Sequence, residues 1–241
     1  MKDLIRAEVL KLGTTRGAFL LLLGAVAINV FTVAAPGETA LREFAQPLHE
    51  QQAVLIVSML MRILLLVLGI RAVTEEFRHG TITPTLLAAP RRQKLVVAKA
   101  IALAGAGAIF AFVTVATLLV SMNLMANMND ITVAPLGESW RTLVGALSVG
   151  VIWPAVGLGV GLLIRSQIAA IVGGVVWLMG LERMIGDRLD VLGQFLPGEA
   201  GVAAAIAPSS RALWIGSFAL LGWAVITSVG GALVLRRRDI A

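Results

Sequence analysis

Six long hydrophobic blocks constrain this 241-residue sequence more than any other feature. A helix needs about 20 apolar residues to cross the hydrocarbon core of a bilayer, and only helices or closed barrels satisfy their backbone polar groups there. The blocks cover residues 17–35, 53–70, 101–122, 142–164, 166–181 and 212–235. The fifth has only 16 residues, so we expect it to tilt little, to thin the bilayer locally, or to finish its crossing with flanking residues. The pattern predicts an all-α membrane protein with six transmembrane helices in a single domain, residues 1–241.

Composition agrees with this interpretation and excludes several classes of protein. The chain is 58% hydrophobic and 14% charged, whereas soluble domains are about 45–50% apolar and about 25% charged. A net charge of +6 would suggest nucleic-acid binding in a soluble protein, but here the basic residues flank the hydrophobic blocks. We therefore expect a lipid bilayer as a partner, and no nucleic acid. The chain has no cysteine, which excludes disulfides and thiolate chemistry.

The distribution of lysine and arginine predicts the orientation. If the N-terminus is inside, the cytoplasmic segments hold 14 of the 20 basic residues, the outer segments hold 5, and Arg62 lies within a block. Because lysine and arginine concentrate in cytoplasmic loops, we expect both termini in the cytoplasm. Val33, Ala34 and Ala35 imitate a signal-peptide cleavage site, so removal of the first block is an alternative.

Sequence motifs for chemistry are absent. There is no phosphate-binding loop of the Gly-x-x-x-x-Gly-Lys-Ser/Thr type, no His-Glu-x-x-His and no Gly-x-Ser-x-Gly. His49 and His79 fall in loops on opposite sides of the predicted membrane, so they cannot share a metal. We expect a chain that is not an enzyme and that binds no metal or cofactor itself.

The loop at residues 74–94, between the second and third blocks, carries the most specific pattern. The second helix is expected to continue as a charged stalk through His79, and Gly80 suits the left-handed position at a helix end. Thr83 and Pro84 then suit the start of a short helix that continues through Ala88. The alternative is an ordinary basic turn.

Two further segments are predicted to lie at the membrane surface. Residues 1–16 form a weakly amphipathic helix in which Ile5, Val9 and Leu12 share a face, with a plain leader as the alternative. Within the outer loop at 182–211, apolar residues recur with helical spacing and Pro197 and Gly198 end the pattern; they are Ile185, Leu189, Leu192 and Leu196. We expect an outer interfacial helix there, with a small soluble packing helix as the alternative.

Arg62 is the only charge in the middle of a block, and a central arginine is costly in a bilayer. No acidic residue lies mid-block to pair with it, so water, carbonyl groups, Asn29 or a second chain must do so. The open alternatives are a role in a translocation pathway, a structural polar contact, or a side chain that reaches the interface. Asn29 and Trp153 join Arg62 as pathway candidates.

The N-terminal run from Arg6 to Arg16 and the run from Glu75 to Ile82 resemble the corresponding segments of type-2 ABC-transporter permeases. The resemblance extends over essentially the whole chain and implies a dimer of permease chains, homo- or heterodimeric, in a bacterial cytoplasmic membrane. It also implies two copies of a separate ATPase that bind ATP and Mg, and short re-entrant helices in the outer loop. It assigns ATPase coupling to Glu75, Glu76, Phe77, Arg78, His79, Gly80, Thr81, Ile82, Leu86 and Leu87.

Within this coupling segment we expect Glu75, Glu76 and Arg78 to point into water. The apolar side chains are expected to fill a groove on the ATPase; they are Phe77, Ile82, Leu86 and Leu87.

These features predict the permease subunit of an ABC exporter. An ion-driven secondary carrier of small hydrophobic molecules is the alternative. Such carriers place carboxylates or histidine at mid-membrane, and the hydrophobic blocks contain neither.

Overall fold

The computed structural model describes residues 1–34, 47–81, 92–128, 140–206 and 209–237, and these residues are almost entirely helical. The helices are α1 (Lys2–Thr14), α2 (Arg16–Ala34), α3 (Pro47–Arg78), α4 (Arg92–Met128), α5 (Trp140–Ile164), α6 (Gln167–Val176), α7 (Glu182–Gly186), α8 (Pro197–Ile206) and α9 (Ser210–Arg237). A π-helical turn at Trp177–Leu181 joins α6 to α7, and a 3-10 helix at Asp190–Phe195 precedes α8. The predicted all-α class is confirmed for these ranges.

Four helical segments within these ranges are long and apolar enough to cross a membrane: Gln93–Ser121, Leu143–Ile164, Gln167–Gly186 and Ser210–Leu235. They correspond to the third to sixth hydrophobic blocks. A fifth crossing results if α1 and α2, which meet at an angle of 61°, count together as one span. The second block lies within α3, which is not among these segments, so six crossings stay a prediction.

Helix α5 lies at the centre of the bundle and packs against α3, α4 and α9. Glycines allow the backbones of these helices to approach each other closely. A Cβ atom on Gly157 would lie 2.3 Å from the carbonyl oxygen of Leu66, and one on Gly69 would lie 2.0 Å from that of Pro154. The small residues of α5 therefore serve packing within the chain, as expected for helices whose backbones approach closely in a bilayer.

The fifth span is longer than the sequence indicated. The π-helical turn continues α6 into α7, so the helix reaches Gly186 and covers 20 residues. Flanking residues therefore extend the fifth helix, which is one of the expectations for this short block. The block itself is short because the charged pair Glu182 and Arg183 ends it, although the helix continues through them.

The outer loop also differs from its expected form. The apolar spacing from Ile185 to Leu196 does not form one helix, because α7 ends at Gly186 and the chain folds back so that Gly193 contacts Gly186. Pro197 begins α8 instead of ending a helix, which suits proline because the first helical residue needs no N–H donor. Helix α8 is buried against α3, α5 and α9, so the helix of this loop packs inside the bundle.

Candidate functional site

The end of α3 has the predicted local geometry. The helix runs to Arg78, the His79 amide donates to the Glu75 carbonyl oxygen at 2.9 Å, and Gly80 follows with φ of +67°. Glycine adopts this left-handed conformation without strain, so the expected helix end at Gly80 is confirmed. Arg78, His79, Gly80 and Thr81 are exposed, and we refer to these four residues as the stalk tip. Ile82, Leu86 and Leu87, with the rest of the predicted coupling helix, lie outside the described residues.

Glu76 does not point into water as predicted. It is only 7% exposed, and its Oε1 atom accepts hydrogen bonds from Lys99 Nζ and Lys11 Nζ, both at 2.8 Å. These two lysines belong to α4 and α1. Local sequence pattern misses this contact because its partners lie 23 and 65 residues away along the chain.

Glu8 on α1 completes a network of four charges, which we call the charged network: Glu8, Lys11, Glu76 and Lys99. Lys99 Nζ lies 2.7 Å from Glu8 Oε2, Lys11 Nζ lies 3.0 Å from Glu8 Oε1, and Lys99 is only 3% exposed. Two acids and two bases balance, as buried charges require. Glu8 is buried in this network, whereas Val9 of the predicted apolar face is 51% exposed, so the placement of α1 on the membrane surface stays a prediction.

Lys11 is the exposed member of the charged network. Burial lowers the pKa of its ammonium group, but hydrogen bonds and Coulomb attraction to Glu76 and Glu8 outweigh burial, and the pKa of Lys11 is raised. The network therefore favours the charged form of this lysine.

Phe77 also turns inward, against the expectation that it fills a groove on another protein. The guanidinium carbon of Arg165 lies 5.3 Å from the centre of the Phe77 ring, within cation–π range, and the ring packs against the core. Arg165 forms the corner between α5 and α6 with φ of +60°, and it donates to the Val234 carbonyl oxygen at 3.3 Å. Arg165 thus joins the ends of α3, α5 and α9.

Glu75 is held within α3 itself. Its Oε1 atom accepts a hydrogen bond from Arg71 Nε at 2.7 Å, four residues earlier. Among the predicted coupling residues that the structure describes, only the stalk tip is fully exposed.

Arg62 is buried and donates a hydrogen bond to the carbonyl oxygen of Gly198 in α8. The carboxylate of Glu182, which is 2% exposed, attracts Arg62 by Coulomb interaction. Glu182 Oε1 also accepts the Glu199 amide at 2.9 Å, at the start of α8. A carboxylate at a helix N-terminus is stabilised there. The expectation that a carbonyl group satisfies Arg62 is therefore confirmed, and Glu182, which lies beyond the hydrophobic block but within the helix, adds an acidic neighbour that the block boundaries concealed.

The three pathway candidates fall at two places. Trp153 is buried beside Gly201, where an added Cβ would lie 3.4 Å from the indole ring and 3.0 Å from Arg62 Cδ. Arg62 and Trp153 therefore both pack on α8. Asn29 is buried elsewhere, between α2 and α4, and its Nδ2 atom donates to the Thr114 carbonyl oxygen at 3.0 Å. Asn29 is not the partner of Arg62.

Comparison with known proteins assigns the family. No curated protein matches the chain. The family model described as ABC-2 family transporter protein matches residues 4–180, from α1 through the π-helical turn. This region includes the charged network, Arg62 and the stalk tip. The match covers well over half of the chain, and several helices are long and apolar enough to cross a membrane. The chain therefore belongs to the ABC-2 transporter family and is a multi-pass membrane permease.

Proposed function

We propose that this chain is the permease subunit of an ATP-driven exporter in a bacterial cytoplasmic membrane. Two copies, or one copy with a sister permease, form the translocation path. Two copies of a separate ABC ATPase bind ATP and Mg and drive transport. Six crossings with both termini in the cytoplasm complete the proposed topology.

The stalk tip is the observation that carries this proposal. In a member of the ABC-2 transporter family, some surface must contact the ATPase, and Arg78 and His79 are exposed at the end of a long helix. Two residues before the tip, Glu76 is bound to α1 and α4. A displacement of the tip therefore acts on three helices together.

The charged network gives this coupling a physical basis. Removing one member of a buried ion pair leaves an uncompensated charge and costs about 3–5 kcal/mol. The helices α1, α3 and α4 therefore separate at this point only at considerable cost. We infer that they move as a unit when the ATPase subunits close on ATP.

The second permease chain requires an apolar surface within the membrane. Helix α6 presents exposed Ile168, Val172 and Val176 along one face. Lipid covers such a face in a monomer, and a second chain covers part of it in the proposed dimer.

Co-purification tests the proposal. The double variant Arg78→Glu, His79→Ala changes only exposed residues, so we expect a folded chain that no longer retains the ATPase or no longer transports. Arg188→Glu is the matched control, because Arg188 is an exposed arginine in the turn after α7. Wild-type ATPase retention and wild-type export by the double variant would exclude the stalk tip as the docking site.

An ion-driven carrier is the alternative function. Glu182 is the observation that favours it, since a buried carboxylate in a membrane helix can mark an ion or proton path. Its hydrogen bond to the start of α8 and its Coulomb attraction to Arg62 favour a structural role instead. Transport in vesicles that depends on an ion gradient and proceeds without ATPase would support the carrier.

A further inference from the structure

A cavity of about 380 Å³ lies among α1, α2, α3 and α4, next to the charged network. Its volume falls within the range of small-molecule sites, which is about 300–1,000 Å³. One end is lined by Glu8, Lys11 and Glu76, and the other by Leu21, Leu68 and Leu103. The cavity is therefore amphipathic.

The lining changes from polar to apolar along the same direction in space on three helices. From Thr15, just before α2, to Leu21 within it the lining changes from polar to apolar, and along α4 it changes from Lys99 to Leu103. Helix α3 runs the opposite way, and its lining changes from Leu68 to Glu76. The polar ends of all three meet at the charged network, so the polar and apolar halves of the cavity are continuous across helices.

Glu76 supplies a buried acceptor without a partner at the polar end. Its Oε1 atom binds Lys11 and Lys99, but its buried Oε2 atom has no hydrogen-bond partner among the described residues. A buried carboxylate oxygen without a hydrogen-bond donor costs free energy, and an N–H group can supply the missing hydrogen bond.

The charges that line the cavity favour an amine over an anion. Three acids line it, Glu8, Glu75 and Glu76, together with three lysine or arginine side chains, Lys11, Arg71 and Lys99, and with the exposed His79. The lysine and arginine side chains already contact these acids. An anion would meet Glu76 Oε2 with no positive charge to spare, whereas an ammonium group would bind that oxygen.

We propose that this cavity binds an amphiphile with an amine head. The carboxylate of Glu76 turns its buried Oε2 atom toward the cavity to accept a hydrogen bond from the ammonium group, and the apolar chain lies along Leu21, Leu68 and Leu103. Two sources share this chemistry: a membrane lipid with a primary amine headgroup, and an amphiphilic amine from solution. The site lies within this one chain, so its occupation does not depend on the ATPase.

Two cations with the same tail provide the first test. The full-length chain is placed in nanodiscs of phosphatidylcholine and phosphatidylglycerol, and binding is measured after subtraction of protein-free nanodiscs. Dodecylamine can donate hydrogen bonds and dodecyltrimethylammonium cannot. Because a hydrogen bond to a charged group contributes strongly, we expect dodecylamine to bind about tenfold more tightly. Equal affinities, or no binding of dodecylamine, would overturn the proposal.

A substitution that fills part of the cavity tests where dodecylamine binds without changing any charge. Ala18 lines the cavity, so Ala18→Leu should reduce dodecylamine affinity about tenfold. Ala27→Leu on the same helix is the matched control, because Ala27 is exposed. Binding that is equal in the two variants would also overturn the proposal.

Phosphatidylethanolamine distinguishes a membrane lipid from an amine in solution as the ligand of the cavity. If nanodiscs that contain it weaken dodecylamine binding in the wild type and not in Ala18→Leu, the lipid occupies the cavity. If they leave dodecylamine binding unchanged, the ligand is an amine from solution. No arm of the experiment measures transport or ATP hydrolysis, so a failed binding test leaves the proposed exporter function intact.

Discussion

Lys99 is the most completely buried member of the charged network, and Lys11 is its exposed counterpart. Lys99 contacts Glu8 and Glu76 from the interior, whereas the side chain of Lys11 is 47% exposed. Sequence analysis predicted the helix that carries Glu76 but not its burial, because periodicity reports neighbours on one helix and not ion pairs between helices.

We expect Lys99→Ala to destabilise the folded chain by about 3–5 kcal/mol, because two buried carboxylates would lose their inner cation. Lys11→Ala should cost only about 0–1 kcal/mol, since water replaces an exposed ammonium group. Thermal unfolding of the purified variants in one detergent measures the difference. Similar losses for both variants would mean that water reaches the whole network.

Arg62 is the second residue whose surroundings in the folded chain could not be predicted from the sequence. Arg62→Ala would leave the Gly198 carbonyl oxygen without this donor and remove a positive charge that attracts Glu182, so we expect a loss of about 1–3 kcal/mol and faster hydrogen exchange in α8. Arg183→Ala, at an exposed arginine on α7, should stay within about 0.5 kcal/mol of wild type. Hydrogen exchange in α8 that matches wild type would show that Arg62 does not hold this helix. Altered cargo choice with a stable α8 would favour a role in the pathway.

Glycine contacts set the spacing of elements in the bundle. Gly157 and Gly161 have the i, i+4 spacing of small residues that favours close helix packing, and the contact of Gly157 with α3 lies within the chain. The outer elements were predicted less well. The apolar spacing from Ile185 to Leu196 ignores the contact of Gly193 with Gly186, which breaks the helix.

Substituting two glycines separates packing from helix propensity. Gly157→Ala places a methyl group against the Leu66 carbonyl oxygen, so we expect a loss of about 1–3 kcal/mol. Gly222→Ala on α9 meets no atom within 4 Å and should be neutral or stabilise the chain by up to about 1 kcal/mol. Thermal unfolding compares the two variants. A Gly157→Ala variant as stable as wild type would mean that α3 and α5 adjust their spacing.

The whole molecule could be assigned to a class from sequence more reliably than its sites could. Blocks of apolar residues as long as a bilayer is thick indicate membrane helices whatever their neighbours are. The charged network required the folded chain, because its members come from α1, α3 and α4. The predicted coupling residues show this difference. The helix end at Gly80 could be predicted from the local sequence, but the burial of Glu76 and Phe77 could not.

Reporter fusions test the six-span topology. We expect fusions at Glu38, Asp130 and Glu199 to report the outside, because basic residues concentrate on the other side. Fusions at His79, Gln167 and Ala241 should report the cytoplasm. An outward report at His79 would remove the stalk tip from any ATPase and would contradict the exporter proposal.

The pairing of Glu8 with Lys99 also constrains the order in which the helices assemble during synthesis. The two residues are 91 positions apart, and a ribosome adds about 5–20 residues per second. Glu8 is therefore synthesised about 5–18 s before its partner exists. During that interval the carboxylate of Glu8 has only Lys11, on its own helix, as a partner within the charged network. The contact between α1 and α4 consequently forms only after α4 has been synthesised.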